Sequence, residues 1–135
     1  MNFPSRRARR WALALGALAT STMTHWPGLA VQEVGPIERA DLIAHVVFFF
    51  TLGSLAHGAE LFGPVGSRRN TLLTWLCSLA YAAIDEGTQA IPALKRTTAW
   101  DDLLANSAGL TLAALAALAL GRALRARAPS APPAG

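Results

Sequence analysis

Four long apolar runs, parted by short segments that gather the charges, constrain this chain more than any other feature. The runs are Trp11 to Trp26, Leu42 to Phe62, Thr71 to Ile91 and Leu103 to Gly121. A bilayer core about 30 Å thick takes roughly 20 helical residues, with about 17 as the lower limit, which the first run only approaches. In lipid an isolated strand would leave its backbone groups unpaired, so each run predicts a helix. The expectation is an all-α integral membrane bundle of four transmembrane helices. One domain over residues 1–127 holds it, and a Pro/Ala/Ser/Gly tail at 128–135 is expected to be disordered. Charged residues make up only 15% of the chain, against about 25% in a soluble domain.

The charges orient the spans. Arg6, Arg7, Arg9, Arg10, Arg68, Arg69, Arg122, Arg125 and Arg127 are nine of the twelve basic residues, and all fall on one side of a four-span topology. Glu33, Glu38, Asp41, Asp101 and Asp102 fall on the other side or at its edge. The positive-inside rule places both termini in the cytoplasm. A basic start followed by an apolar run also fits a signal peptide; with no convincing small-residue cleavage site, a retained span is the preferred reading. The arginines flank apolar runs rather than forming a patch, so they read as topology signals and as partners of anionic lipid headgroups, with no nucleic-acid role. Cys77 cannot form an internal disulfide and reads as a small buried apolar side chain. On the fourth run, Ala105, Gly109, Ala113, Ala117 and Gly121 recur every four residues, a stripe that lets helix backbones approach closely.

Ionisable groups within spans are costly, and here they converge on one depth. Asp41 and His45 start the second run at its outer end. Asp85, Glu86 and Gln89 lie near the outer end of the third, Arg96 lies in the outer loop, and Asp102 and Asn106 open the fourth. Asp41/His45, Asp85/Gln89 and Asp102/Asn106 are each four apart, so each pair shares a helix face. Three polar faces at one level either pack on each other or line a wet cavity. Asp101, three after Thr98, has the spacing of a helix cap, and Trp100 reads as an interface anchor. His57 and Glu60 read as a structural pair, with each other or with Arg68 or Arg69. No phosphate-cradling glycine loop, nucleophile elbow or zinc motif occurs, and no His/Cys spacing implies a metal, so no cofactor is expected.

The stretch Asp85-Glu86-Gly87-Thr88-Gln89, followed by Arg96, Trp100, Asp102, Asn106 and Gly109, resembles the signature of the VanZ-like family. The upstream Asp41-Leu42-Ile43-Ala44-His45, with Phe49 and Gly53, resembles that family's other motif. The resemblance covers Asp41 to Gly109, and the first run matches only in character. Pro92-Ala93-Leu94-Lys95 stands where a glycine turn is expected, and Thr98 where an aromatic residue is common. The resemblance implies a multi-pass protein of the bacterial cytoplasmic membrane with a role at the cell envelope, the name-giving member being associated with teicoplanin resistance.

Three functions are compatible with this pattern. In the leading one, Asp41, His45, Asp85, Glu86, Gln89, Arg96, Asp102 and Asn106 form an outer pocket for a lipid-linked or cell-wall headgroup. Arg96 would then grip anionic oxygen. In the second, the protein is an enzyme acting on a lipid-linked substrate, with Glu86 or His45 as general base. In the third, the polar groups clamp helices together in a structural or assembly role. The sequence does not fix the oligomeric state.

Overall fold

The computed structural model describes residues 4–26, 33, 34, 37–89, 91 and 100–127. Four helices dominate them: α1 (Arg6–His25), α2 (Ala40–Gly58), α3 (Arg68–Gln89) and α4 (Trp100–Ala126). A two-residue antiparallel ladder, β1 (Glu33–Val34) on β2 (Ile37–Glu38), stands between α1 and α2 and leaves the all-α class unchanged. Helices α2 and α4 are each long and apolar enough to cross a membrane. The 128–135 tail, Arg96 and Thr98 fall outside the described residues.

Local chemistry sets the helix ends. Ser5 caps α1, its Oγ accepting from the Ala8 N–H at 3.2 Å. Helix α2 enters from Arg39, held in the left-handed region at φ 60°. It stops at Gly58, although the apolar run continues to Phe62. Glu60 takes φ 52° and Gly63 and Gly66 also turn left-handed, so the chain reverses into α3. The start of α1, this turn and the end of α4 gather at one end of the bundle. Arg9 donates to the Gly58 carbonyl at 3.0 Å and to Glu60 Oε2 at 2.7 Å, and Val65 N–H donates to Glu60 Oε1 at 3.2 Å. Glu60 is thus paired with α1, not with His57, Arg68 or Arg69. His57 Nδ1 instead meets the Gly53 carbonyl at 2.7 Å. Burial works to raise the Glu60 carboxyl. The Arg9 and Val65 hydrogen bonds and the charges of Arg9 and Arg6 outweigh it and hold the group below its ordinary value.

The most extensive interface joins α2 to α4. All five members of the small-residue stripe on α4 are buried. A Cβ at Gly109 would fall 2.8 Å from Phe50 N and nearer still to the Val46 carbonyl oxygen, so the two backbones touch. At the other end of α4, a Cβ on Gly121 would lie 2.5 Å from the Gly66 Cα. Midway, Phe49, Leu52, Ala82 and Leu110 form a small apolar core.

The bundle is otherwise apolar outside and polar inside. Ile43, Val47, Phe48, Leu72, Leu76, Ile84, Leu104, Leu112 and Leu115 are exposed, while Asn70, Thr74, Asp85, Glu86, Gln89 and Asn106 are buried. A protein in water reverses this arrangement. Exposed hydroxyls bond back to their own helix: Thr22 to the Leu18 carbonyl, Thr51 to Val47, Ser54 to Phe50 and Thr111 to Ser107, all at 2.7 or 2.8 Å. Such groups make no demand on the surroundings for a partner. Cys77, expected to be buried, is exposed on this apolar exterior; α3 turns its polar face inward and leaves the cysteine outside.

Candidate functional site

At the end of the bundle opposite the arginines, α2 and α4 meet through three of the residues singled out in the sequence. His45 Nδ1 lies 2.8 Å from Asn106 Oδ1, and His45 Nε2 lies 3.8 Å from Asp102 Oδ2. The four-residue spacing of Asp102 and Asn106 aims both at one imidazole. With Nδ1–H donating to the amide oxygen, the Nε2 edge of the ring faces the Asp102 carboxylate.

A second set joins α3 to α1. Ser21 Oγ lies 2.7 Å from the Tyr81 hydroxyl and donates to Asp85 Oδ1 at 3.2 Å. Tyr81 donates in turn to the Ala17 carbonyl at 3.0 Å. His25 Nε2 lies 2.8 Å from Thr88 Oγ1, and its Nδ1 is 3.7 Å from Asp85 Oδ1. Gln89 Nε2 reaches Asp85 Oδ2 at 3.4 Å, four residues back on the same face. Ser21, His25 and Tyr81 were not among the residues singled out. The signal for the first two was present: a serine and a histidine four apart in the polar stretch Thr20–His25 that ends the first apolar run.

Asp41 belongs elsewhere. It takes two hydrogen bonds from Arg39 at 3.3 Å, and Arg39 Nη2 reaches Asp101 at 2.6 Å. This exposed trio ties the start of α2 to the start of α4 and keeps Asp41 off His45. Asp101 stands in the first turn of α4 with Arg39 as its partner, and the Thr98 half of the expected cap lies outside the described residues. Trp100 is 84% exposed, as an anchor outside the bundle would be. Glu86 is buried near Asp85.

Among the described residues, Gln89 Oε1, Asp102 Oδ1 and Asn106 Nδ2 are buried with no hydrogen-bond partner. Gln89 and Asn106 are wholly buried. An unpaired buried polar atom costs about 1–3 kcal/mol, so three at one end of a small bundle are a substantial cost. Together they offer two acceptors and one donor. Among the described residues no group of three His, Cys, Asp or Glu side chains is placed to hold a metal.

No curated protein and no solved structure matches the chain significantly. The VanZ/LLP1 family model, by contrast, matches residues 4–121, which takes in α1, α2 and α3 and most of α4. By that match, and by two apolar helices fit to cross a bilayer, this chain belongs to the VanZ/LLP1 family of membrane proteins.

Proposed function

We propose that the protein is a four-span protein of the bacterial cytoplasmic membrane. Both termini would be cytoplasmic, and the polar end of the bundle would bind a headgroup presented in the outer leaflet. The segregation of α3 supports the four-span reading. Asn70, Thr71, Thr74, Ser78, Asp85, Glu86 and Gln89 point inward, while Leu72, Leu76 and Ile84 point out. An average over the helix conceals a surface fit for lipid. The gathering of Arg6, Arg9, Arg68, Arg69 and Arg125 at one end supports the orientation.

The observation that carries the binding role is the set of three unpaired buried atoms at the opposite end. A headgroup rich in hydroxyl, amide or ammonium hydrogens would satisfy Gln89 Oε1 and Asp102 Oδ1, and one of its oxygens would take the Asn106 N–H. Envelope lipids and lipid-linked cell-wall precursors have such headgroups. Asp85, Glu86 and His45 would shape the site. Asp41 would contribute through the Arg39 and Asp101 trio.

The test is native mass spectrometry of the full chain in mild detergent, beside Gln89→Leu and Asp102→Asn. The expected result is a co-purified lipid mass on the wild type that both variants lose while keeping their helicity. Identical adducts on all three proteins would overturn the proposal. A lipid chemically altered by the wild type alone would favour the enzymatic reading, with Glu86 or His45 as general base.

A further inference from the structure

The four arginines of α1 divide between two faces. Arg9, and more loosely Arg6, serve Glu60. Arg7 and Arg10 are exposed and make no hydrogen bond or ion pair among the described residues. With Trp11 and Ala14 they line a shallow surface cavity of about 360 Å³. Its cations are side chains, not the helix end, which Ser5 already caps. Below the arginines, the same face continues with Trp11, Leu15 and Leu18, each at least 60% exposed. Along one helix face the order is therefore guanidinium pair, indole, then aliphatic carbon. From Arg10 to Leu18 the chain rises about 12 Å at 1.5 Å per residue. A phospholipid standing in a leaflet has the same order: phosphate, interfacial glycerol, acyl chain. A soluble anion would use only the first part of it.

We infer that the Arg7/Arg10/Trp11/Ala14 face is a binding site for an anionic phospholipid of the leaflet next to the N-terminus, with both guanidiniums on the phosphate and the acyl chain along Leu15 and Leu18. The choice of the cytoplasmic leaflet rests on the four-span orientation proposed above; the site itself does not. Two guanidiniums supply paired donors to phosphate oxygen, and Trp11 holds the glycerol level.

The test uses the full chain in a neutral detergent, titrated separately with phosphatidylglycerol, phosphatidylcholine and inorganic phosphate and read by native mass spectrometry. Phosphatidylglycerol is expected to bind in preference to phosphatidylcholine. Arg7→Gln with Arg10→Gln should weaken it by about 30-fold, because neither side chain then brings a positive charge to the phosphate. Arg7→Lys with Arg10→Lys should keep the preference in part, and Arg122→Gln, at an exposed arginine outside this face, should leave it untouched, which separates this site from the positive charge of the chain in general. Unchanged helicity and melting are expected of both double variants, since neither arginine has a partner among the described residues. Equal binding of both lipids, an unaffected glutamine variant, or displacement of the lipid by millimolar phosphate would each overturn the inference. Orientation is read separately, by labelling Ser5→Cys in a Cys77→Ser background with an impermeant thiol reagent on intact cells. Labelling there would reverse the topology without touching the lipid preference.

Discussion

Gly109→Ala probes the closest point of the α2–α4 interface and the polar site at once. The new methyl would lie 2.8 Å from Phe50 N, where ordinary contact begins near 3.4 Å, and it would be tighter still on the Val46 carbonyl. Backbone cannot rotate away as a side chain can, so α2 and α4 must part by about 0.6 Å or more. Overpacking of this kind costs about 1–3 kcal/mol. Asn106 lies one turn before Gly109, and His45 is next to Val46. The same parting therefore stretches the His45–Asn106 bond from 2.8 Å toward or beyond the limit of a good hydrogen bond. Losing that buried bond adds about 1 kcal/mol. A total of about 2–4 kcal/mol corresponds to a fall in Tm on the order of 10 °C. Circular-dichroism melting in detergent measures the fall, and the imidazole resonances of His45 report the bond. Gly58→Ala is the control, because nothing lies within 4 Å of its added carbon. If Gly109→Ala melts within two or three degrees of wild type with His45 unmoved, the backbone contact does not govern this interface and the reasoning fails.

Two further outcomes follow from the packing. Glu60 is held below its ordinary value of 4.5, so its contribution to stability is complete above that pH and is lost as acidification passes through the lowered folded value. Melting followed from pH 7 to pH 3 should show wild type losing stability below about pH 4.5, while Glu60→Gln starts lower at pH 7 and declines less; parallel profiles would remove Glu60 from the account. Gly87→Ala, in the last turn of α3 with open space at its added carbon, should raise stability by up to about 1 kcal/mol. A loss of stability on the same melting assay would mean that α3 bends or packs there in a way the structure does not show.

The helices, the small-residue stripe and the polar end could all be read from spacing, because residues four apart share a helix face whatever surrounds them. Asp102 and Asn106 do converge on His45, and Asp85 does reach Gln89. Partner choice between elements was not readable. Glu60 pairs with Arg9 across 51 positions of sequence, and local spacing offered His57, Arg68 and Arg69 instead. Asp41 shares a face with His45, yet Arg39, folded back by its left-handed backbone, draws it toward Asp101. The burial of Cys77 was inferred from apolar neighbours, which in an inside-out bundle mark the exterior. Ser21 and His25 escaped notice because their partners, Asp85, Tyr81 and Thr88, sit about sixty residues away.

The paired and unpaired polar atoms of the site answer different needs. Between helices in lipid, apolar packing adds little preference for one register over another, and interhelical hydrogen bonds of about 0.6–2 kcal/mol can set it. The His45–Asn106 bond does this for α2 and α4: sliding α4 by one residue would swing Asn106 about 100° around its axis and break the bond. Ser21 and Tyr81 do the same for α1 and α3. That requirement is met by the bonds already made. It gives no reason to keep Gln89 Oε1, Asp102 Oδ1 and Asn106 Nδ2 buried and unpaired, since leucine at 89 or asparagine at 102 would spare part of the cost without loosening the register. On the headgroup reading proposed above, these two acceptors and one donor are the groups that the ligand would take up.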